Sequence, residues 1–367
     1  MAPTSQRPPD LARERAARRR ATERKRALRR QRLLALGLLA AAAALSVVLA
    51  SGGPASKRHS GTSAPRQSAT VTSSPNAKPP PSSFAVGLRV LRLVDTNRTI
   101  VLPNGTSEPR ALLTYVRYPA LGAPGRIDLP GAPAARADGP FPLVIFGHGF
   151  AVTPALYARI LQSWARAGYV VAAPVFPLEN ANAPGGPDES DLTNQPADMR
   201  FVISRMLAAS SAHSGPFAGL VDPTRIAVTG QSDGGDTALA VAYNRYFRDQ
   251  RVSAAVILSG AEIPGVGGFT FPSGSPPLLA VQGTADTVNL PSSTNAFFDI
   301  AQRPKYLLSL LGAEHLPPYS DQQPQLGIVE RVTIAFLDAY LKHRAGALQR
   351  VVWLGSVPGT ASLLAAP

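Results

Sequence analysis

The chain has 367 residues, 45% of them hydrophobic, which is enough apolar material for a sizeable folded core. It contains no cysteine, and this excludes disulfides, iron–sulfur clusters, thiolate zinc sites and a cysteine nucleophile. The net charge is +14, but the first 83 residues account for all except one unit of it. A nucleic-acid-binding domain carries its positive charge in the folded part, so we expect no nucleic acid partner.

The N-terminal segment predicts a membrane anchor. Residues 1–32 are strongly basic, and residues 33–50 are an apolar run without a charged side chain. A helix over this run would be about 27 Å long, which is just enough to cross the hydrocarbon core. By the positive-inside rule, residues 1–32 stay cytoplasmic and the rest is extracytoplasmic, held at the cell membrane by residues 33–50. The alternative is a signal peptide, cleaved after Ala50, and a secreted product.

The next segment, residues 51–83, is rich in Ser, Thr and Pro and contains no acidic residue. Such a composition cannot bury enough apolar surface to order itself, so we expect a disordered linker. The folded catalytic domain is therefore predicted over residues 84–367.

Short apolar runs alternate with amphipathic stretches from residue 84 onward, which predicts a mostly parallel sheet of roughly eight strands with helices on both faces. The predicted strands are 86–94, 111–118, 143–146, 169–173, 226–229, 254–258, 278–281 and 306–311. The predicted helices are 155–167, 196–209, 234–247, 291–301 and 325–343. The first two strands are predicted to form a hairpin at the start of the domain. No insertion between the predicted elements is long enough for a large cap domain. The tail after about residue 344 gives no clear pattern.

The strongest motif is Gly230-Gln231-Ser232-Asp233-Gly234, a G-x-S-x-G sequence between a predicted strand and a predicted helix. A serine on such a sharp turn has its hydroxyl lifted clear of the sheet. The N-terminus of the following helix favours negative charge that develops there. Ser232 is therefore the candidate nucleophile.

A second motif, Gly147-His148-Gly149-Phe150, follows the predicted strand 143–146. A loop at this position supplies an oxyanion donor in serine acyl-transfer enzymes. We predict that the backbone N–H groups of Phe150 and Asp233 form the oxyanion hole. His148 precedes the nucleophile in the chain, so we expect its ring to hold the loop in shape rather than to act as the base.

The remaining candidates follow late strands. Asp286 comes after the strand 278–281, where it can orient a histidine, and His315 comes after the last predicted strand. Glu262 and Glu314 are rival acids. His315 is the expected base, because the other histidines lie in the linker, in polar segments or before the nucleophile.

The order Ser232, Asp286, His315 resembles the α/β-hydrolase fold. Within that group the chain is similar to the dienelactone hydrolase, platelet-activating-factor acetylhydrolase, chlorophyllase and cutinase-like branch. The resemblance covers roughly residues 84–343. It is carried by PLVIFGHGF, GYVVAAPVF, NQPADMRFV, IAVTGQSDGG, LLAVQGTADTV and GAEHL. Asp233 departs from the Met or Leu common in cutinase-like members, which argues against polyester activity.

We therefore expect a serine hydrolase that cleaves carboxylic esters outside the membrane through an acyl-enzyme, acting on a small-molecule or lipid-like ester. No cofactor and no metal are expected, and the oligomeric state is left open. Phe176, Ile263 and Val288 are candidate pocket residues. The alternatives are a peptidase or lipase-type acyl hydrolase with the same triad, or a catalytically silent binding protein.

Overall fold

A computed structural model of the protein describes residues 83–367. The predictions for residues 1–32, 33–50 and nearly all of 51–83 concern residues outside the described range. Within that range, no helix combines the length and the apolar character needed to cross a membrane.

The described residues form a single ten-stranded sheet in the order β10-β9-β8-β7-β6-β4-β5-β2-β1-β3. The strands are β1 Ala85–Val101, β2 Ser107–Ala120, β3 Leu129–Pro130, β4 Phe141–Gly147, β5 Val170–Val175, β6 Val221–Gln231, β7 Val252–Leu258, β8 Leu278–Gly283, β9 Lys305–Leu310 and β10 Ala361–Ala366. Strands β4 to β9 are mutually parallel. β1 and β2 form the expected antiparallel hairpin, and β10 adds antiparallel to β9.

The predicted fold class, a mostly parallel sheet in an α/β protein, is confirmed. The prediction of roughly eight strands missed β3 and β10. β3 has only two residues. β10 reads ASLLAA, which lacks β-branched residues and is mostly exposed, so it has no strand signal of its own and is held by pairing with β9.

Helices cover both faces of the sheet, as expected. They are α1 Ala158–Arg166, α2 Gln195–Ser211, α3 Asp233–Tyr243, α4 Pro291–Ile300, α5 Pro317–Ser320, α6 Gln325–Leu341 and α7 Ala347–Gly355. One apolar core lies between the sheet and α2, α3 and α4, and a second lies between the sheet and α1, α6 and α7. The central strands are buried on both faces, which is why they read as continuous apolar runs rather than as alternating ones.

The topology brings the ends of distant strands together. β6 lies between β4 and β7 at the centre of the sheet, and β8 and β9 follow on the β7 side. Because these strands are parallel, the segments that follow β4, β6, β8 and β9 all emerge at one edge. Ser232, the loop of Phe150, Asp286 and His315 each lie in one of those segments.

Candidate active site

Ser232 occupies the turn between β6 and α3. Its backbone has φ 57° and ψ −129°, which is a strained conformation for a residue with a side chain. The Ser232 N–H donates to the carbonyl of Leu258 at 3.0 Å, which ties the turn to the end of β7. The turn therefore holds the hydroxyl at the carboxyl edge of the sheet.

The two glycines of the motif are required by close backbone approach. A methyl group on Gly230 would overlap the carbonyl of Gly234, and one on Gly234 would overlap the carbonyl of Gly147. The strand, the turn and the first helical residues therefore pack backbone against backbone. Only glycine allows this spacing, and it explains the small residues on either side of Ser232.

A continuous hydrogen-bond chain joins the three predicted triad residues. The Oγ of Ser232 lies 2.9 Å from Nε2 of His315, and Nδ1 of His315 lies 2.8 Å from Oδ2 of Asp286. The three residues Ser232, His315 and Asp286 are 7%, 3% and 2% exposed, respectively. The group is thus shielded from bulk water except at the serine, which is the arrangement that nucleophile activation by a neighbouring base requires.

Asp286 is fixed by its own hydrogen bonds. Its Oδ1 accepts from the N–H groups of Val288 and Asn289, both at 2.9 Å, and Gln282 Nε2 donates to Oδ2 at 3.2 Å. This leaves Oδ2 directed at His315. Among the described residues, neither rival acid forms a hydrogen bond or an ion pair with His315. Glu314 is exposed, and Glu262 is half-buried in the loop after β7.

The segment Gly147–Phe150 lies beside the serine. The N–H of Gly149 donates to the hydroxyl of Tyr157 at 3.3 Å. Among the described residues, no acceptor is paired with the N–H of Phe150 or of Asp233. These are the two groups predicted to form the oxyanion hole, and both remain available as donors.

His148 holds this loop in shape, as predicted. It is completely buried, its Nδ1 lies 2.8 Å from the carbonyl of Gly149, and its Nε2 accepts from the N–H of Phe176 at 3.0 Å. Both contacts are satisfied when the proton is on Nδ1. Burial lowers the pKa of His148 from 6.5 to about 4, so the ring is neutral at physiological pH.

Comparison with known proteins identifies the fold. The model of the chlorophyllase family matches residues 131–290, a range that contains Ser232 and Asp286. Among solved structures, a ferulic acid esterase from Streptomyces cinnamoneus is similar, with a TM-score of 0.52 and 22% sequence identity over 71% of this chain and 91% of that chain. The chain has the α/β-hydrolase fold. The comparison with curated proteins found no match.

Sequence reasoning missed two residues of this hydrolase site. Gln231 Nε2 donates to the carbonyl of His315 at 3.1 Å, and the hydroxyl of Tyr157 donates to Gln231 Oε1 at 2.6 Å. The segment that carries His315 and the loop Gly147–Phe150 are therefore joined through the side chains of Gln231 and Tyr157. Gln231 was visible as the residue before the nucleophile, whereas nothing local marked Tyr157, 74 residues away.

The predicted pocket residues of the hydrolase differ in their environments. Phe176 is fully buried in the core, and its ring packs on His148 at 4.8 Å, so it supports the loop and does not line a pocket. Ile263 is 3% exposed and packs with Leu192 and Ala240. Val288 is half-buried next to Asp286 and keeps exposed surface. Of the three, Val288 is the one best placed to contact a substrate.

Among residues 83–367, no three or more His, Asp or Glu side chains are grouped so that they could hold a metal ion. The reaction proposed below uses only side chains and backbone groups of this chain.

Proposed function

We propose that this hydrolase cleaves carboxylic esters through Ser232, His315 and Asp286, by way of a covalent acyl-enzyme. One observation carries the proposal: the unbroken hydrogen-bond chain from the Ser232 hydroxyl through both nitrogens of His315 to the Asp286 carboxylate. This series of hydrogen bonds starts at a serine held in a strained turn. Among the described residues, two backbone N–H groups in the segments beside that serine have no acceptor. Such an arrangement suits nucleophilic attack on a carbonyl.

In the first half-reaction the Ser232 Oγ attacks the ester carbonyl, and its proton passes to Nε2 of His315. Asp286 accepts from Nδ1, which keeps the ring in the required tautomer and stabilises its charged form. The N–H groups of Phe150 and Asp233 donate to the oxyanion. Each such donor stabilises the transition state by about 2.7–4 kcal/mol in well-studied hydrolases.

Collapse of the first tetrahedral intermediate breaks the ester C–O bond, and the proton on His315 Nε2 goes to the leaving alcohol, which completes the acyl-enzyme. In the second half-reaction a water molecule takes the place of the alcohol. His315 accepts a proton from this water as it attacks the acyl carbonyl. Collapse of the second tetrahedral intermediate releases the acid and returns the proton to Ser232. Atoms balance as one ester and one water giving one acid and one alcohol.

The test is turnover of a graded series of p-nitrophenyl esters, from acetate to octanoate, together with methyl ferulate, by the full-length chain in mild detergent. Methyl ferulate is included because a similar solved structure is a ferulic acid esterase. We expect Ser232→Ala and His315→Ala each to lower kcat by about 10⁴-fold or more. The acyl chain length preferred by the wild-type protein reports the size of the pocket.

Matched controls are Ser204→Ala and His213→Ala, which change an exposed serine and an exposed histidine elsewhere in the domain. Both should turn over within about twofold of the wild-type rate, since exposed positions away from the site have small effects. The proposal fails if Ser232→Ala, verified as folded, keeps wild-type turnover and is still labelled by a fluorophosphonate probe.

We also propose that residues 33–50 anchor the protein in the cell membrane, with residues 1–32 cytoplasmic and the hydrolase domain extracytoplasmic. The apolar run without charges and the dense basic block before it support this placement. An enzyme tethered there would meet small-molecule or lipid-like esters at the membrane surface. The competing arrangement is cleavage after Ala50 and secretion.

Fractionation of expressing cells separates the two arrangements. An anchored protein stays in the membrane pellet after carbonate extraction, and added protease digests its hydrolase domain in intact cells or spheroplasts. A soluble product whose first residue is Ser51 contradicts the anchor. As control, replacing Leu38 and Leu39 by Arg should abolish membrane retention, because a charge at the centre of a span costs about 2.5–3.5 kcal/mol.

A further inference from the structure

A second buried carboxyl group lies next to the nucleophile turn and has no part in the triad. Glu179 is completely buried in the segment after β5. In the described part of the chain, neither carboxyl oxygen of Glu179 receives a hydrogen bond from an N–H or O–H donor, and the same is true of Oδ2 of Asp233. Buried polar atoms of this kind are normally paired, so these three oxygens need an explanation.

The two carboxyl groups explain each other. Glu179 lies within hydrogen-bonding reach of Asp233, which directly follows Ser232. Two carboxylates cannot both be charged at this distance in a buried site, whereas one proton between them makes an O–H···O⁻ hydrogen bond. A proton on one carboxyl oxygen of Glu179 pairs that oxygen with Oδ2 of Asp233, and the other Glu179 oxygen is then a neutral carbonyl oxygen, which is less costly to bury than a charged one.

The surroundings keep that proton in place. The other charged groups near Glu179 are Asp191 and Glu189 of the turn Glu189–Asn194, and Asp191 is already paired with Arg110. Tyr157, whose hydroxyl is influenced by the charge of Asp233, is neutral because burial raises its pKa. Burial, together with Asp233 and the more distant acids, raises the pKa of Glu179 well above its usual value.

Glu179 also holds the oxyanion loop through its backbone. Its carbonyl accepts from the N–H of Ala151 at 2.9 Å, directly after Phe150. Glu179 therefore contacts both sides of the predicted oxyanion hole: the loop of Phe150 through its backbone, and Asp233 through its side chain.

We propose that Glu179 is a positioning residue that, with its proton on, donates to Asp233 and keeps the two oxyanion N–H groups at a fixed separation. This role rests on the proposed function. Loss of the proton would place two repelling carboxylates between the loop and the helix, and the oxyanion donors would move apart. The ground-state substrate needs these donors less than the transition state does, so kcat should fall at alkaline pH with little change in KM.

The experiment measures kcat and KM from pH 6 to pH 10 for the full-length wild-type chain, Glu179→Gln and Glu179→Ala. Ser232→Ala supplies the blank for spontaneous hydrolysis. In Glu179→Gln the side-chain amide still donates to Asp233 but cannot ionise. The kcat of this variant should therefore stay within about fivefold of wild type at pH 7, and it should not decline at alkaline pH. Alanine leaves Asp233 unpaired, and we expect kcat to fall by about 10- to 100-fold with KM within threefold.

Glu330→Gln is the matched control. Glu330 is a partly buried carboxyl group whose pKa is also raised, but it lines a cavity beside Arg166 and Arg331, away from the triad. Its variant should show the wild-type pH profile. An alkaline decline that persists unchanged in Glu179→Gln, or a folded Glu179→Ala with wild-type kcat, overturns the proposal. Should the alanine variant not fold, the glutamine profile decides.

A second readout is independent of turnover. Because the pKa of Glu179 is raised in the folded state, its proton stabilises the fold fully below pH 4.5 and this stability is lost as pH rises. The melting temperature of Glu179→Gln should therefore decline less than that of wild type between pH 5 and pH 9. If the melting temperatures of Glu179→Gln and wild type change equally with pH, the carboxyl pair itself is contradicted. If the two melting temperatures diverge with pH but the wild-type protein is inactive, only the proposed function is contradicted.

Discussion

Asp286 is one of three residues, with Glu262 and Glu314, that the sequence offers as the acid of the triad. The loop after β7 carries Glu262 and the turn after β8 carries Asp286, and either position can supply the acid of a triad. The structure brings Asp286 to 2.8 Å from Nδ1 of His315 and holds it there with two backbone N–H groups. A side chain fixed in this way keeps the ring of the base in one tautomer.

We expect Asp286→Asn to lower kcat by about 10³- to 10⁴-fold, because the amide can donate to His315 and favour the wrong tautomer. Glu262→Gln should stay within about threefold of wild type. Steady-state kinetics on the preferred p-nitrophenyl ester measures both, with circular dichroism to verify folding. The reverse ranking would make Glu262 the working acid.

At the scale of elements, a buried ion cluster joins the second strand to the helical face. Arg110 on β2 is 2% exposed and binds Asp198 of α2 and Asp191 of the turn before it, with N–O distances of 2.6–2.9 Å. The two carboxylates raise the pKa of Arg110 against the effect of burial. The turn that Arg110 binds carries Asp191 and Glu189, whose charges contribute to the raised pKa of Glu179.

Arg110→Met should lower the free energy of unfolding by about 3–5 kcal/mol, because it removes the buried cation that Asp191 and Asp198 share and leaves Asp198 only its ion pair with Arg98 at 2.8 Å. Urea denaturation measures the loss. Arg225→Met serves as the control, since Arg225 pairs with Asp222 near the surface and such pairs contribute about 0–1 kcal/mol. A loss below 1 kcal/mol at Arg110 would mean that water or rearrangement compensates the charges.

At the scale of the whole molecule, the buried neutral His148 couples folding to pH. Its pKa is about 4 in the folded protein, below the ordinary value of 6.5. The unfolded chain therefore takes up a proton first as pH falls. Stability is full above pH 6.5 and is lost as pH falls towards 4, by up to about 3 kcal/mol.

The prediction is that His148→Asn, although less stable at pH 7, loses less stability than wild type between pH 7 and pH 4.5. Urea unfolding at several pH values gives the two slopes. Because both proteins carry the same carboxylates, the difference in slope isolates the histidine. Equal slopes would show that His148 becomes protonated in the folded state.

Much of this fold was predictable because its signals are local. The central strands are buried on both faces, so each reads as an apolar run, and helices α1, α2, α4 and α6 each bury one face against the sheet. The turn at Ser232 was predictable for a similar reason, since backbone packing allows only small residues at Gly230 and Gly234. Edge elements such as β10 and α7 gave no such signal, because neighbouring segments stabilise them.

The amino-acid sequence by itself determined the order of the elements, the nucleophile turn and the candidates for base and acid. Only the tertiary structure decided that Asp286 and not Glu262 reaches His315, that Phe176 packs under His148, and that Gln231 and Tyr157 join the loop to the base. It also brought Glu179 to Asp233. These pairings join residues from 28 to 84 positions apart. Spacing in the chain carries no information about such contacts, because the crossing of parallel strands, and not the sequence distance, determines which ends meet.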